Sequence, residues 1–383
     1  MEKIQNLLNQ VAIISDKNAE ILDATGGRFN MFKVCHVDHY ENTHSAIIAE
    51  FLNPHGSHGL KSKFLECFIN MFCNNALKQG FDCVNARVVT EYSIRENGRI
   101  DILIEDRKRY AIIIENKIYA SDQPEQLKRY NDFAQKYGKE RNQIFYLTLW
   151  GNEASKQSGQ DVDYDCISYK TDIIAWLKEC VCIAVHHPMV RETINQYINH
   201  LKTLTNQDMD TKNKQEITEL LCRSEENVKS AFLIAENLNS VMFQVVNKEF
   251  LPQLGKVLGE EFGEEIEYVS KEQDWSKQYC CFQIIISKCD YITIDFLFWK
   301  NDLKDLSVGI WYNGKGDKKC KDIFEKIKHK KYFRYDHVQD RAWNIFPEYR
   351  DWSKEAMLAI YNGKMADIFK DEIRKILELM KEI

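Results

Sequence analysis

Two carboxylates and an ammonium group stand close together in the first third of the chain. Asp101 is followed after thirteen residues by Glu115, and Lys117 comes two residues later. Carboxylate oxygens are hard ligands for Mg²⁺ or Mn²⁺, which polarise a phosphate and lower the pKa of a bound water. A nearby lysine can orient that water or stabilise charge that grows on the phosphate. Although Glu-x-Lys alone is common on solvated strands, the three residues together indicate metal-dependent hydrolysis of a phosphodiester.

Two predicted strands must position these residues, and they form a hairpin. The stretches 99–105 and 110–117 are short, rich in isoleucine and bounded by polar turn residues, a pattern typical of paired strands. A three-residue turn would pair Glu105 with Ala111 and place the two carboxylates opposite each other. Because side chains alternate along a strand, the carboxylates and the lysine share one face and the isoleucines share the other. The isoleucines predicted to form this core face are Ile100, Ile102, Ile104, Ile112, Ile114 and Ile118.

A helix is predicted directly after the hairpin. Asp122 can cap it, and Glu125 stands three residues later, as in a capping box; the helix would extend to about Tyr137. Gln126 and Tyr130 are four residues apart and therefore share a helix face, so both can face the ends of the strands. The alternative is that Tyr130 belongs to an ordinary core stripe.

This arrangement resembles the PD-(D/E)XK nuclease superfamily, whose restriction-endonuclease-like core runs helix, three strands, helix, strand. The resemblance implies that Asp101 and Glu115 bind Mg²⁺ (or Mn²⁺), that the backbone carbonyl of Asn116 completes the metal shell, and that Lys117 assists the attacking water. The chain departs from the family at one point, because Ile100 stands where the named proline would be. That proline is commonly missing in the superfamily.

The resemblance covers roughly residues 36–184 and extends to one further pair of residues and to a glutamate. The Gln-x-x-x-Tyr spacing resembles the bacterial repair-exonuclease branch, which implies positioning roles for Gln126 and Tyr130. Members also carry a glutamate on the first core helix that reaches the metal, and Glu41 is preferred here over Glu50. His44, on the same predicted helix face, is either a phosphate contact or a hydrogen-bonded helix residue.

The fold class that follows is α/β: a restriction-endonuclease-like mixed sheet flanked by helices, then a smaller α+β domain with an antiparallel meander. The polar run 205–214 is interpreted as a linker, which divides the chain into a nuclease-like domain, 1–204, and a recognition or regulatory domain, 205–383. Three strand-like runs separated by turns predict the meander. They are 279–287, 291–299 and 306–311.

The second domain contains one basic stretch, 315–334, with nine Lys or Arg residues against three Asp or Glu. Phe324, Tyr332 and Phe333 are interleaved with the cations, a mixture expected of a surface that tracks a nucleic-acid backbone and stacks bases. A solvated basic helix is the alternative. The candidate nucleic-acid contacts are Lys318, Lys319, Lys328, Lys330 and Lys331.

Composition limits the classes of function. The net charge of −6 excludes a protein that coats nucleic acid through bulk charge. The twelve cysteines include no Cys-x-x-Cys pair, so buried thiols in a reducing compartment are expected. The sequence contains no run of eighteen apolar residues, so no membrane span is predicted. A cytoplasmic protein is expected.

The sequence therefore predicts a Mg²⁺-dependent deoxyribonuclease. Two alternatives stay open: a non-catalytic module that binds nucleic acid or a protein partner on the same fold, and a nuclease directed at RNA. Whether the chain forms a homodimer, and whether it serves defence or repair, also stays open.

Overall fold

The computed structural model describes residues 2–94, 98–159, 161–269, 273–289, 291–316, 318–333, 340–346 and 348–381. The chain divides into two compact units, Met1–Ser224 and Glu225–Ile383, each built around one five-stranded sheet. None of the described helices is long and apolar enough to cross a membrane.

The first unit is a mixed sheet covered by helices on both faces, in agreement with the predicted fold class. Its strand order follows the chain; the first three strands are antiparallel, whereas the third, fourth and fifth are parallel. The strands are β1 (Arg87–Ser93), β2 (Arg99–Glu105), β3 (Ala111–Lys117), β4 (Asn142–Thr148) and β5 (Asp165–Ser168). The helices are α1 (Glu2–Thr25), α2 (Met31–Val34), α3 (Glu41–Leu52), α4 (Lys63–Phe72), α5 (Asn75–Gly80), α6 (Gln126–Ala134), α7 (Lys156–Gly159), α8 (Ile174–Ile183), α9 (Pro188–Leu204) and α10 (Met209–Cys222).

The β2–β3 hairpin has the predicted register, with Glu105 paired with Ala111. Five of the six isoleucines pack in one cluster with residues of α3, α4 and α8, as predicted. Ile100 is the exception, because it packs in the cluster on the opposite face, with α6. The β1–β2 ladder has no pair between Thr90–Ile102 and Tyr92–Ile100, and Glu91 takes φ 55° at this interruption. The alternation of side chains between the two faces of β2 therefore fails between Ile100 and Ile102.

The second half of the polar run predicted to be a linker, from Met209 onward, belongs instead to α10, which packs against α1. The Asn18 side-chain amide donates to Asn213 Oδ1 at 3.0 Å and to Glu216 Oε2 at 3.1 Å. Because part of this contact is made by polar side chains, the sequence of the run resembles that of a solvated segment. The division between the units accordingly falls after Ser224 rather than after Leu204.

The second unit contains the predicted antiparallel meander, with two more strands than expected. The order is β10-β9-β8-β7-β6, and every neighbouring pair is antiparallel. Its strands are β6 (Ile266–Val269), β7 (Cys281–Ile286), β8 (Ile292–Lys300), β9 (Lys304–Tyr312) and β10 (Arg341–Ile345). Its helices are α11 (Glu225–Glu236), α12 (Leu238–Val245), α13 (Leu251–Phe262), α14 (Lys318–Ile327), α15 (Lys354–Tyr361) and α16 (Lys364–Lys381).

A disulfide joins Cys289 and Cys320 in this unit, so the prediction that all cysteines are free thiols is wrong for these two. Both residues are buried in the same apolar core, where the fold brings together positions 31 residues apart. Their spacing in the chain gave no sign of the pairing.

Candidate active site

Asp101, Glu115 and Lys117 meet where β2 and β3 lie side by side. The Asn116 backbone amide donates to Asp101 Oδ2 at 2.8 Å, which ties the two strands together at the site. Glu115 is fully buried, and Lys117 Nζ lies 2.8 Å from Glu115 Oε1. The two carboxylates and the ammonium group that the sequence singled out therefore form one cluster.

Helix α6 completes this cluster through Gln126 and Tyr130. Gln126 Nε2 donates to Glu115 Oε1 at 2.6 Å and to the Tyr130 hydroxyl at 3.2 Å. The Tyr130 hydroxyl in turn donates to the Arg99 carbonyl at 2.5 Å. Tyr130 is thus both a buried core residue and a support for Gln126. The two residues hold one oxygen of Glu115 from the helix side.

The start of α6 differs from the predicted capping box. The helix begins at Gln126, and Glu125 precedes it with φ 54° and no side-chain cap bond. Asp122 instead accepts hydrogen bonds from the Tyr146 hydroxyl and the Ser155 amide, both at 2.6 Å. Bonds to a distant strand and loop therefore replace the local cap that the sequence favoured.

One oxygen of Glu115 is fully engaged and the other is not. Oε1 accepts from Gln126 and Lys117, whereas Oε2 is buried without a hydrogen-bond partner. A buried acceptor without a partner costs about 1–3 kcal/mol. A proton or a cation is the kind of partner that this oxygen can take.

Burial dominates the protonation of the site. It raises the pKa of Glu115 to about 8, and the neighbouring charge of Asp101 adds to the rise, while Lys117 opposes it. Burial also raises the pKa of Asp101 to about 6, against the Asn116 hydrogen bond and the charge of Lys117. Burial by itself lowers the pKa of Lys117, but the carboxylates, ionised where a lysine titrates, raise it above its usual value. Without a divalent cation, the site therefore holds a proton near neutral pH.

The donor set suits Mg²⁺ or Mn²⁺. Mg²⁺ keeps several waters and is commonly held by only one or two carboxylates, which Asp101 and Glu115 supply. No group of three or more His, Cys, Asp or Glu side chains with metal-binding geometry occurs among the described residues. A third ligand would have to be water or the predicted carbonyl of Asn116, whose role as a ligand stays a prediction.

Glu41, the remaining predicted ligand, lies at the end of β3. Its Oε1 accepts three backbone hydrogen bonds, from Ile118 at 2.7 Å, Tyr119 at 3.2 Å and Ala120 at 3.0 Å. The carboxylate therefore holds the chain that leaves the strand, immediately after Lys117. That it also binds a metal stays a prediction.

The Asn116 side chain has a structural role that the sequence did not reveal. Its amide nitrogen donates to the Glu41 carbonyl and to Ser45 Oγ, both at 3.0 Å, and its oxygen accepts from the Tyr169 hydroxyl at 2.9 Å. These bonds join β3 to α3 and to the segment after β5. The only signal in the sequence was a polar residue between two functional ones.

His44 is not a phosphate contact, because its ring is fully buried. Nδ1 lies 2.9 Å from the Tyr197 hydroxyl and Nε2 lies 3.1 Å from the Asp38 carbonyl. Burial lowers the pKa of His44 to about 4, so the ring is neutral at physiological pH. The second interpretation, a hydrogen-bonded helix residue, describes it correctly.

The basic stretch of the second unit does not present the predicted stacking aromatics. Phe324 and Phe333 are buried in the core, and the Tyr332 hydroxyl donates to Glu372 Oε2 at 2.5 Å. Their apolar side chains serve packing, and Asp317 and Arg334 lie outside the described residues. Of the five candidate lysines, three are exposed and Lys328 pairs with Glu325 at 2.6 Å. Nucleic-acid binding by Lys318, Lys319, Lys328, Lys330 and Lys331 stays a prediction.

The geometry agrees with a comparison of the chain with known families. Residues 29–199 match a family model described as the PD-(D/E)XK nuclease superfamily, a range that includes the whole mixed sheet and the site. No curated protein and no solved structure matches the chain. Residues 29–199 of this chain therefore belong to the PD-(D/E)XK nuclease superfamily.

Proposed function

We propose that the chain is a Mg²⁺- or Mn²⁺-dependent nuclease that hydrolyses phosphodiester bonds in DNA. The observation that carries the proposal is the state of Glu115. Gln126 and Lys117 fix one carboxylate oxygen, while the other stays buried without a partner beside Asp101. A purely structural carboxylate would have both oxygens paired, because an unpaired buried oxygen only destabilises the fold.

Each residue of the cluster has a defined part in the reaction. Hydrolysis joins a water oxygen to phosphorus, breaks one P–O ester bond and transfers a proton from the water to the leaving oxygen. Asp101 and Glu115 would hold the metal, which supplies Lewis acidity at the phosphate and lowers the pKa of a bound water. Lys117 orients the attacking water and stabilises negative charge on the phosphate. Gln126 keeps the Glu115 carboxylate in one orientation.

Cleavage assays with purified variants test the proposal. Linear and circular DNA are incubated with wild type, Asp101→Asn and Lys117→Met, in Mg²⁺, in Mn²⁺ and in EDTA. We expect cutting that requires metal and falls by about 10²–10³-fold or more in both variants, as when one stabilising group is removed from a preorganised site. Lys178→Ala removes an exposed lysine from α8 and is the matched control.

Three outcomes would contradict the proposal. If no polymer is cut with any metal while the proteins stay folded, the first unit acts as a binding module. If RNA of matched sequence is cut and DNA is not, the chemistry holds but the polymer is wrong. Cutting that persists in both variants would place the active site elsewhere.

A further inference from the structure

Exposed tyrosine and tryptophan side chains in the first unit occur at only one place among its described residues, the edge of the sheet that carries the candidate active site. The exposed tyrosine and tryptophan residues of this unit are Tyr40, Tyr119 and Trp150, with exposed fractions of 52%, 67% and 41%. The other tyrosines and the other tryptophan of the unit are buried or half-buried. We call these three residues the aromatic rim.

The backbone places the rim around Lys117. Tyr119 is two residues beyond Lys117, and its amide donates to Glu41 Oε1 at 3.2 Å, which brings Tyr40, the residue before Glu41, to the same end of β3. In the parallel β3–β4 pair, Lys117 lies beside Thr148, and Trp150 follows two residues later. Tyr119 and Trp150 therefore follow strands that end at the site, and Tyr40 precedes the helix that begins there.

A cation accompanies the tryptophan. Lys170 Nζ lies 5.1 Å from the centroid of the Trp150 ring, and the Lys170 amide donates to the Leu149 carbonyl at 3.1 Å. This hydrogen bond holds the exit of β5 against the exit of β4. The rim thus presents an exposed ring and a positive charge together, so a base and its phosphate can be contacted at one position.

Single-stranded DNA is the nucleic acid that this combination fits. In a duplex the flat faces of the bases are covered by their neighbours, whereas in a single strand an exposed aromatic ring can stack on them. Arrangements that combine stacking rings with cations bind single strands with little sequence preference. A surface for duplex DNA would present cations to the phosphates and polar groups to base edges, without exposed rings.

We infer that the aromatic rim binds single-stranded DNA by stacking on unpaired bases, so that single strands or single-stranded segments are the substrate of the adjacent site. The statement about substrate rests on the proposed nuclease function, whereas the statement about binding does not. Lys117 and the two carboxylates would then act on the phosphate beside a stacked base.

Equilibrium binding in EDTA tests the inference without any cleavage. A fluorescent single-stranded oligonucleotide and the matching duplex are titrated with Lys117→Met protein, and then with Tyr119→Ala and Trp150→Ala introduced into the same background. We expect the single strand to bind more tightly than the duplex and each alanine variant to weaken it by roughly tenfold. Trp150→Phe keeps a ring and should retain most of the affinity.

The control is Phe29→Ala, which removes an aromatic ring of 56% exposure away from the site and should leave the affinity unchanged. Equal affinity for single strand and duplex, or equal effects of Phe29→Ala and Trp150→Ala, would overturn the inference. Tighter binding of the matched RNA strand would overturn its assignment to DNA. Metal-dependent cutting of duplex DNA without single-strand preference would refute the inference about the aromatic rim and leave the proposed nuclease function standing. Single-strand binding without any cutting would support the inference about the rim and contradict the nuclease function.

Discussion

Replacing Glu115 with glutamine should stabilise the metal-free protein, because the carboxylate at this position is held in an environment that disfavours its charge. The Glu115 side chain is fully buried, one of its oxygens has no partner, and its pKa is raised to about 8. Glutamine has nearly the same shape. Its amide oxygen can accept from Gln126 and Lys117, and its NH₂ group can occupy the place of the unpaired oxygen.

The magnitude follows from linkage between protonation and folding. The folded-state pKa is above the ordinary value of 4.5, so between these values the folded protein binds more protons at this group than the unfolded chain does. Stability therefore falls as the pH rises through this window. At pH 7, which is 2.5 units above the ordinary pKa of 4.5, the raised pKa lowers the free energy of unfolding by about 3 kcal/mol. Glutamine would remove this loss of stability. For a unit of this size that is roughly 6–12 °C in Tm.

The assay is thermal and urea unfolding of wild type and Glu115→Gln in EDTA, at pH values from 5 to 8. The gain should be below about 1 kcal/mol at pH 5, which is close to the ordinary pKa of the carboxyl, and should grow up to pH 8. His44 titrates in the acidic part of this range with the opposite sign, since its lowered pKa reduces stability as the pH falls. Its contribution is common to both proteins and cancels in the difference.

Two further comparisons make the reasoning refutable. Glu140→Gln, at an exposed position, should show no such pH-dependent gain. Mg²⁺ at pH 8 should stabilise wild type and leave Glu115→Gln unaffected, because the variant lacks the ligand. The reasoning is wrong if Glu115→Gln is no more stable than wild type at pH 8, or if its gain in stability at pH 5 is as large as its gain at pH 8.

Three further predictions concern the metal and the supports of the site. Mg²⁺ affinity, measured by titration calorimetry, should rise with pH because the metal displaces protons from Glu115 and Asp101. About one proton should be released per metal ion between pH 6 and 8, and more below pH 6. An affinity that does not depend on pH would contradict this prediction. Tyr169→Phe leaves the Asn116 oxygen without its donor and should cost about 1–3 kcal/mol in urea unfolding. It should also lower kcat more than it raises KM, whereas Tyr137→Phe, which removes a bond to Glu105, should not change kcat. His44→Ala should cost about 2–4 kcal/mol and leave the oligonucleotide Kd of the folded protein unchanged; a weaker Kd without a loss of stability would show that His44 contacts the nucleic acid after all.

The centre of the site could be predicted because it depends on local rules. A three-residue turn and alternation along two strands are enough to bring Glu115 beside Asp101, and the spacing along one helix turn is enough to bring Gln126 and Tyr130 together. Each of these inferences spans only one hairpin or one helix. The same rules failed at Ile100, where an interruption of the β1–β2 ladder changes the face to which the side chain points.

The supports of the site could not be predicted because they depend on contacts between distant segments. Asn116 bonds to Ser45, 71 residues earlier, and to Tyr169, 53 residues later. Asp122 has the residue type and position of a helix cap, yet Tyr146 and Ser155 bind it instead. A local preference of about 1 kcal/mol for the cap is easily outweighed by two such bonds.

The two faces of β3 hold the site by different contacts, and this explains why the buried Glu115 oxygen stays without a partner although that lowers the stability of the protein. On one face, the Asn116 side chain is fully hydrogen-bonded to α3 and to Tyr169. On the other face, α6 fixes the Glu115 carboxylate through Gln126. A strand held at both faces cannot shift to give the second carboxylate oxygen a partner within the protein. That oxygen can take a proton or a cation that enters the site, and under the proposed function this is the position at which the metal would bind.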